Sequence, residues 1–350
     1  MNKVLLIYTG GTIGMGHNPL TGALEPLDFN HLVESMPEFR QIKTQIDVYQ
    51  FTPPIDSSDI SPERWANLVR IISRNYNNYD GFVILHGTDT MAYTASALSF
   101  MLGNLTKPVI LTGSQLPIGQ LRTDGKENLV TSIELAAMKN EEGHAIIPEV
   151  SVYFSGRLLR GNRTTKINAD GFYAFESFNY PHLCDAGVNF TFHTHNILTP
   201  DFSKPLSPHM AMDNNVVVLS LFPGIQENII RGVLTLENLR GIVMRTFGSG
   251  NAPQQPWFLN LLKKAAERGA VIVNISQCVA GTVEMKRYGA GYQLQDIGVV
   301  SGYDSTVEAA ITKLMYLQAC YTDTNLIRKM MNESIAGEKT KKKRPKNSVI

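Results

Sequence analysis

The chain is poor in cysteine and has no excess of charge of either sign. Its 350 residues include three cysteines, Cys184, Cys278 and Cys320, which lie far apart and form no Cys-x-x-Cys pair. This pattern argues against a disulfide framework and a zinc site, so we expect reduced thiols. The 32 basic and 31 acidic residues nearly cancel. Because no net charge attracts nucleic acid or a membrane surface, we expect a small-molecule partner.

Several kinds of segment are also missing. No run of about 18 apolar residues occurs, and residues 1–3 lead directly into an apolar run, so we expect a cytoplasmic protein that does not enter a membrane. The glycine-rich stretch at 8–14 lacks the Gly-x-Gly-x-x-Gly spacing, and no Gly-x-x-x-x-Gly-Lys-Ser/Thr occurs, so we expect no nucleotide cofactor. His193 and His195 have no acidic or cysteine partner at ligand spacing, and we therefore expect no metal.

Apolar runs that alternate with helical stretches predict two α/β domains. In the first half they are residues 4–7, 48–51, 82–85, 109–111 and 150–154, which is typical of a parallel, flavodoxin-like sheet. Small and apolar residues at 94–102 predict a helix packed on that sheet. The second half has similar runs at 216–221, 241–244 and 270–274.

Breaks in this pattern set the predicted domain boundaries. Residues 191–215 lose periodicity and contain Pro200, Pro205 and Pro208, which indicates a linker. The predicted catalytic domain is therefore 1–190, and the smaller C-terminal α/β domain is 216–336. The basic run in 337–350 predicts a disordered, solvated tail.

Hydroxyl-rich loops follow the first strands of the predicted sheet. Thr12 lies in the glycine-rich turn after the first strand, and ligands bind beyond the carboxyl ends of strands in open parallel sheets. Asp56, Ser57 and Ser58 follow the second strand, where they could hold a polar ligand, although Ser58 could also serve as a helix cap. Thr88 and Asp89 follow the third strand, and the Thr-Asp pair is equally a good helix start.

A threonine nucleophile needs a base, and Lys166 is the candidate. A lysine can activate a hydroxyl when its surroundings favour the neutral amine or when an aspartate and a second hydroxyl relay its influence. Lys166 lies in a loop after the fifth strand, in Arg-Gly-Asn-Arg-Thr-Thr-Lys at 160–166. The arginines there could bind phosphate, but surface or ion-pair roles are favoured. Together with Thr12, Thr88 and Asp89, Lys166 suits acyl transfer without metal or cofactor.

Several long motifs resemble the bacterial type I, cytoplasmic L-asparaginases. The matching segments are 8–14 (Tyr-Thr-Gly-Gly-Thr-Ile-Gly), 56–59 (Asp-Ser-Ser-Asp), 86–95, 160–166, 247–254 and 306–309. The resemblance implies that Thr12 attacks the side-chain amide of L-asparagine and that water then hydrolyses the acyl-enzyme. Thr88, Asp89 and Lys166 match the family's second triad. Asp56, Ser57 and Ser58 would hold the amino acid head group, and the Gly11 and Asp89 N–H groups would bind the oxyanion.

The resemblance has further implications. It implies a homotetramer, built as a dimer of dimers, and allosteric activation by asparagine. The matching effector positions are Thr165, Arg245, Ser276, Gln277 and Cys278. Many family members carry a tyrosine in the mobile loop after the nucleophile, whereas residues 22–25 here are Gly-Ala-Leu-Glu. Either the tyrosine is dispensable in this chain or another, such as Tyr288 from the second domain of a neighbouring subunit, approaches the site.

Two alternative functions remain. The amidase subunit of a tRNA amidotransferase has an asparaginase core with an added N-terminal domain, but this chain starts at the first strand and has no basic face. A non-catalytic asparagine sensor would use the same pocket, but binding alone would not need the full set of Thr12, Thr88, Asp89 and Lys166.

Overall fold

The structure is a computed structural model that describes residues 1–17, 24–26, 37–285 and 289–340. The chain divides into two compact units between Ala211 and Met212. Most of the expected linker at 191–215 therefore belongs to the first unit. Strand pairing explains the difference, since residues 190–192 and 207–208 both join sheets of that unit.

The first unit contains most of the strands. In chain order they are β1 (Asn2–Tyr8), β2 (Met15–His17), β3 (Leu24–Pro26), β4 (Thr44–Gln50), β5 (Gly81–Leu85), β6 (Leu102–Gly103), β7 (Val109–Thr112), β8 (Val150–Phe154), β9 (Arg157–Arg160), β10 (Thr165–Lys166), β11 (Phe175–Glu176), β12 (Cys184–Ala186), β13 (Phe190–Phe192) and β14 (Ser207–Pro208). Its described α-helices are α1 (Pro62–Asn75), α2 (Met91–Met101) and α3 (Gly125–Ala137).

An eight-stranded sheet forms the centre of the first unit. Its order is β13-β12-β9-β8-β7-β5-β1-β4. Strands β4, β1, β5, β7 and β8 are parallel, and their order is that of a flavodoxin-like sheet, which confirms the prediction. Beyond β8 the pairing is antiparallel, a feature the sequence analysis did not predict. A two-residue turn at Ser155 and Gly156, both with positive φ, reverses the chain between β8 and β9.

Helices pack on this sheet through apolar faces. Strand β5 is buried along its whole length, as expected for a parallel strand covered on both sides. Helix α2 buries nine of its eleven residues, which include four small alanine and serine side chains. Helix α1 begins with Pro62 at its N-terminus and turns Trp65, 5% exposed, into the core. Each buried large apolar side chain stabilises the fold by about 1.5–3 kcal/mol.

The second unit is a smaller α/β domain. Strands β15 (Val216–Ser220), β16 (Gly241–Thr246), β17 (Val271–Ser276) and β18 (Val300–Ser301) form a parallel sheet in that order. The described helices are α4 (Glu227–Leu234), α5 (Pro256–Glu267), α6 (Gly289–Asp296), α7 (Val307–Cys320) and α8 (Thr324–Asn332). Trp257 on α5 packs edge-on against Phe258 at 5.7 Å between ring centroids. No helix in the described part of the chain combines the length and the apolar character needed to cross a bilayer.

Residues 337–340, which were expected to be disordered, form part of the second unit, and two of them are buried. Lys313 is fully buried, and its Nζ lies 2.6 Å from Glu338 Oε1. Lys339 is buried too, and its Nζ donates to the Ser301 carbonyl at 3.0 Å. Although burial opposes ionisation, Lys313 and nearby backbone N–H groups hold the pKa of Glu338 below its usual value. Residues 341–350 of the predicted tail lie outside the described residues.

Candidate active site

The candidate catalytic residues lie at the switch point of the large sheet. Thr12 begins a short 3₁₀ turn (Thr12–Gly14) after β1, and Thr88 begins another (Thr88–Thr90) after β5. β1 lies between β4 and β5 in the sheet. The chain runs from β1 to β4 on one side and then crosses back to β5 on the other side, so the strand order reverses at β1. Small molecules bind in the crevice at such a point in open α/β sheets.

Glycines bring the three loops into backbone contact. A Cβ added to Gly11, whose φ is +91°, would lie 2.6 Å from the Cα of Gly87. A Cβ on Gly10 would lie 2.1 Å from the Ile55 carbonyl oxygen, and one on Gly87 would lie 2.5 Å from Ser57 Oγ. Because Gly11 and Gly87 immediately precede Thr12 and Thr88, their contact brings the two threonines to one place.

Lys166, Thr88 and Asp89 form a hydrogen-bonded group. Lys166 Nζ lies 2.8 Å from Thr88 Oγ1 and 2.7 Å from Asp89 Oδ1. The lysine side chain is 17% exposed and the aspartate side chain 69% exposed. The amine is therefore largely shielded from water while the carboxylate faces solvent, where it can meet a ligand.

Thr12 is half-buried in its turn. Its carbonyl accepts the N–H of Met15, which closes the turn. Within the described ranges, no hydrogen bond from another residue engages its hydroxyl. The hydroxyl is thus available for a reacting molecule.

A short polar turn follows β4 and contains Asp56, Ser57 and Ser58. Asp56 Oδ1 accepts the Ser58 N–H and the Ser58 hydroxyl, both at 2.9 Å, and these bonds hold the pKa of Asp56 below its usual value. Ser57 is buried, and its carbonyl accepts the Thr90 hydroxyl at 2.6 Å. The predicted helix cap at Ser58 is wrong, because Asp56 caps this short 3₁₀ turn and Ser61 is the N-cap residue of α1. The group lies beside the loops of Thr12 and Thr88.

Buried arginines fix the segment that presents Lys166. The Arg160 guanidinium pairs with Glu149, with Nε 2.6 Å from Oε2, and lies 4.4 Å from the centroid of the Tyr180 ring. Arg163 contacts the same ring at 5.1 Å. Strand β10 then pairs with β11, which places Lys166 opposite Phe175. The favoured ion-pair role holds for Arg160, although the pair is buried.

No role was predicted for His86 from the sequence, but its hydrogen bonds hold the loop that carries Thr88. Trp65 Nε1–H donates to Thr94 Oγ1 at 3.0 Å, and Thr94 Oγ1 lies 2.9 Å from His86 Nε2. His86 Nδ1 lies 2.7 Å from the Gly87 carbonyl oxygen, which only accepts, so Nδ1 carries the proton and Nε2 accepts from Thr94. Burial lowers the pKa of His86 to about 4, and the ring is neutral at neutral pH. The sequence feature that could have pointed to His86 was its position two residues before Thr88.

Four of the five candidate effector residues lie at the carboxyl edge of the second unit's sheet. Gln277 Nε2 donates to the Arg245 and Leu221 carbonyls, at 2.9 and 2.6 Å. Ser276 Oγ accepts the Cys278 N–H at 2.9 Å. Arg245 Nε is buried and has no hydrogen-bond partner among the described residues. Thr165, the fifth, is in the first unit, on β10.

Other candidate residues fall outside this arrangement. His193 Nε2 lies 2.8 Å from Asp185, which also bonds His182. In the part of the chain that the structure describes, no three His, Cys, Asp or Glu side chains are grouped so as to hold a metal ion. Tyr288 lies outside the described residues.

Comparison with protein families identifies both units. A model of the asparaginase N-terminal domain matches residues 3–198, and a model of the glutaminase/asparaginase C-terminal domain matches residues 215–331. Together these matches cover most of the chain.

Full-length relatives give the same result. The chain is 44% identical to L-asparaginase 1 of Escherichia coli K12, over 97% of this chain and 98% of that protein. It is 42% identical to the crystal structure of L-asparaginase I from Vibrio cholerae, with a TM-score of 0.88 and coverage of 97% and 99%. The thermostable L-asparaginase of Thermococcus kodakarensis is 33% identical, with a TM-score of 0.87 and the same coverage.

Proposed function

This chain belongs to the asparaginase family and is an asparaginase, and we propose that it hydrolyses L-asparagine to L-aspartate and ammonia through a threonine acyl-enzyme. The observation that carries the proposal is the bonding of Lys166 to both Thr88 and Asp89, next to the loop of Thr12. The chemistry needs no metal or cofactor, since a hydroxyl, an amine and a carboxylate supply all the proton transfers.

The first half-reaction forms an ester on Thr12. The Thr12 oxygen adds to the amide carbon of the substrate, and the carbon–nitrogen bond breaks. The proton released by the Thr12 hydroxyl passes to that nitrogen, which leaves as ammonia. The N–H groups of Gly11 and Asp89 are the proposed donors to the oxyanion, and such donors lower the barrier by about 2.7–4 kcal/mol each.

The second half-reaction is hydrolysis. Water adds to the ester carbon, the bond to Thr12 oxygen breaks, and a proton returns to that oxygen while aspartate leaves. Thr88 accepts a hydrogen bond from Lys166 and is placed to position the water or the nucleophile. Lys166 and Asp89 adjust the proton affinity of that group.

The head group of the substrate binds between two loops in this proposal. Asp89 bonds Lys166 through Oδ1, and its exposed carboxylate is available to an α-ammonium group. Ser57, at the start of a 3₁₀ turn, offers its N–H and hydroxyl to the α-carboxylate, while both donors of Ser58 bond Asp56 and hold that carboxylate beside the substrate. Asp56 fixes Ser58 in place and adds negative charge for the ammonium.

Steady-state ammonia release tests the proposed reaction. We expect the chain to release ammonia and aspartate in equal amounts from asparagine. Glutamine, which has one more methylene, is expected to differ in kcat/KM by about 10–200-fold, because a methylene is worth about 1–3 kcal/mol in a fitted pocket. Calorimetric titration with asparagine is the companion measurement. Binding without turnover would contradict the proposal and favour the sensor.

We also propose that asparagine activates the enzyme allosterically at the edge that carries Arg245, Ser276, Gln277 and Cys278. A buried guanidinium nitrogen without a described partner is costly, and a ligand carboxylate would supply its missing acceptor. Thr165 is adjacent to Lys166, so an effector contact there would shift the catalytic lysine. Thr165 is included in the proposed effector site only because it matches an effector position of the type I asparaginases.

Replacement of Arg245 tests the effector site. Arg245→Met is expected to turn a sigmoidal dependence of rate on asparagine into a hyperbolic one, because the effector carboxylate loses its partner. Rates measured over a wide asparagine range give the Hill coefficient. Arg231→Met, which changes an exposed arginine on α4, is the control and should stay sigmoidal. Hyperbolic kinetics in the parent chain would disprove the effector site.

We further propose that the enzyme acts in the cytoplasm as a homotetramer. The resemblance to type I asparaginases supports both statements. The balanced charge is consistent with a small-molecule substrate and gives no reason to expect nucleic acid or membrane partners.

A further inference from the structure

Gln115 occupies the next loop along the edge of the large sheet. It follows β7, and its side-chain oxygen Oε1 lies 3.4 Å from Thr88 Oγ1. Its amide nitrogen Nε2 lies 3.1 Å from the Ala169 carbonyl oxygen and 3.0 Å from that of Gly171. Gln115 therefore links a catalytic hydroxyl to the segment just after Lys166.

The orientation of this amide follows from its partners. Backbone carbonyls only accept hydrogen bonds, so the NH₂ group of Gln115 must face Ala169 and Gly171. The oxygen of the side chain must then face Thr88. The backbone is also fixed, because the N–H of Gln115 donates to the Asp124 carboxylate at 3.0 Å.

The same logic sets the direction of the Thr88 hydroxyl. Lys166 Nζ donates to Thr88 Oγ1 at 2.8 Å and so occupies one of the two lone pairs of the hydroxyl oxygen. The Gln115 oxygen only accepts, so the hydroxyl hydrogen of Thr88 points to it. The chain of donation runs from Lys166 through Thr88 to Gln115.

We propose that Gln115 is a positioning residue that holds the Thr88 proton away from the reacting groups, so that the remaining lone pair of Thr88 accepts from the nucleophile. Without this acceptor, the Thr88 hydroxyl can rotate and donate to the Thr12 oxygen or to water, which lowers their nucleophilicity. The inference rests on the proposed hydrolysis and deepens it, because it assigns the proton direction in the second triad.

Two variants separate this role from simple anchoring of the 169–171 segment. Gln115→Met removes the acceptor and both donors at nearly the same size, whereas Gln115→Glu keeps an acceptor oxygen and loses both donors. We expect the Gln115→Met variant to have a kcat for asparagine about 10-fold or more below that of the parent, with KM changed less than about 3-fold. The reason is that the interaction that orients the Thr88 hydroxyl in the transition state is lost.

The glutamate variant should recover part of this loss. We expect at least about 5-fold more kcat than in the methionine variant, because the glutamate keeps an acceptor oxygen for the Thr88 hydroxyl. Gln45→Met, at an exposed glutamine on β4, is the matched control and should behave as the parent.

The outcomes that count against the inference are distinct. A methionine variant with kcat within about twofold of the parent would overturn it, since the transition-state interaction would be absent. Equal loss of kcat in the methionine and glutamate variants would assign Gln115 to anchoring of the 169–171 segment only and would overturn the inference too. A parent chain that releases no ammonia would overturn the proposed function, and with it this inference.

Discussion

Replacement of Thr12 by alanine is expected to lower kcat for asparagine hydrolysis by about 10⁴-fold or more, as the loss of a nucleophile does in other acyl-transfer enzymes. The physical reason is that the proposed ester forms on the Thr12 hydroxyl, which the alanine variant lacks. Asparagine should still bind, because Asp56, Ser57, Ser58 and Asp89 are unchanged. Ammonia release under saturating asparagine is the measurement, and calorimetry checks the retained binding.

Controls separate the hydroxyl from the fold. Thr235→Ala removes an exposed threonine hydroxyl that bonds the Arg231 carbonyl in α4, and it should leave kcat unchanged. Mass spectrometry of the quenched parent enzyme should show an added aspartyl group on the peptide that contains Thr12. An adduct on Thr88 instead would reassign the nucleophile, and substantial turnover by Thr12→Ala would rule out the acyl-enzyme on Thr12.

Replacement of Lys313 by methionine is expected to destabilise the second unit by about 3–5 kcal/mol, because it leaves the buried Glu338 carboxylate without its cation. The double variant Lys313→Met with Glu338→Gln should lose less than the sum of the single changes, since neither buried charge remains. Urea unfolding followed on the second unit gives the free energies, because a chain of two units need not unfold in one step.

Lys263→Met provides the matched surface control for this prediction. Lys263 is 64% exposed and lies 4.0 Å from Glu267, and such exposed pairs contribute about 0–1 kcal/mol. A change of less than about 1 kcal/mol in Lys313→Met would show that the buried pair contributes no more than a surface pair.

The placement of the candidate catalytic loops could be predicted because it follows from strand order. Thr12 and Thr88 each come directly after a buried apolar run, and parallel strands deliver such residues to one edge. Lys166 also reaches Thr88 and Asp89, although the strand before it, β9, is antiparallel. The hairpin at Ser155 and Gly156 escaped prediction because Ser is uncommon at positive φ.

Contacts between segments that are distant in the sequence account for the features that could not be predicted. Glu338 and Lys339 lie in a segment that resembles a solvated basic tail, and their burial depends on partners such as Lys313, 25 residues earlier. The donors and acceptors of Gln115 likewise come from residues 88, 169 and 171. Periodicity along a chain carries no information about such contacts, which depend on how distant segments meet.

The two tryptophans give each unit a separate optical signal. Trp65 is buried in the first unit and donates its indole N–H to Thr94, next to the histidine before Thr88. Trp257 lies in the second unit against Phe258. A Trp257→Phe variant would thus emit from the first unit alone, and a Trp65→Phe variant from the second. Indole emission moves to longer wavelength in water, so this pair of variants can report which unit opens first.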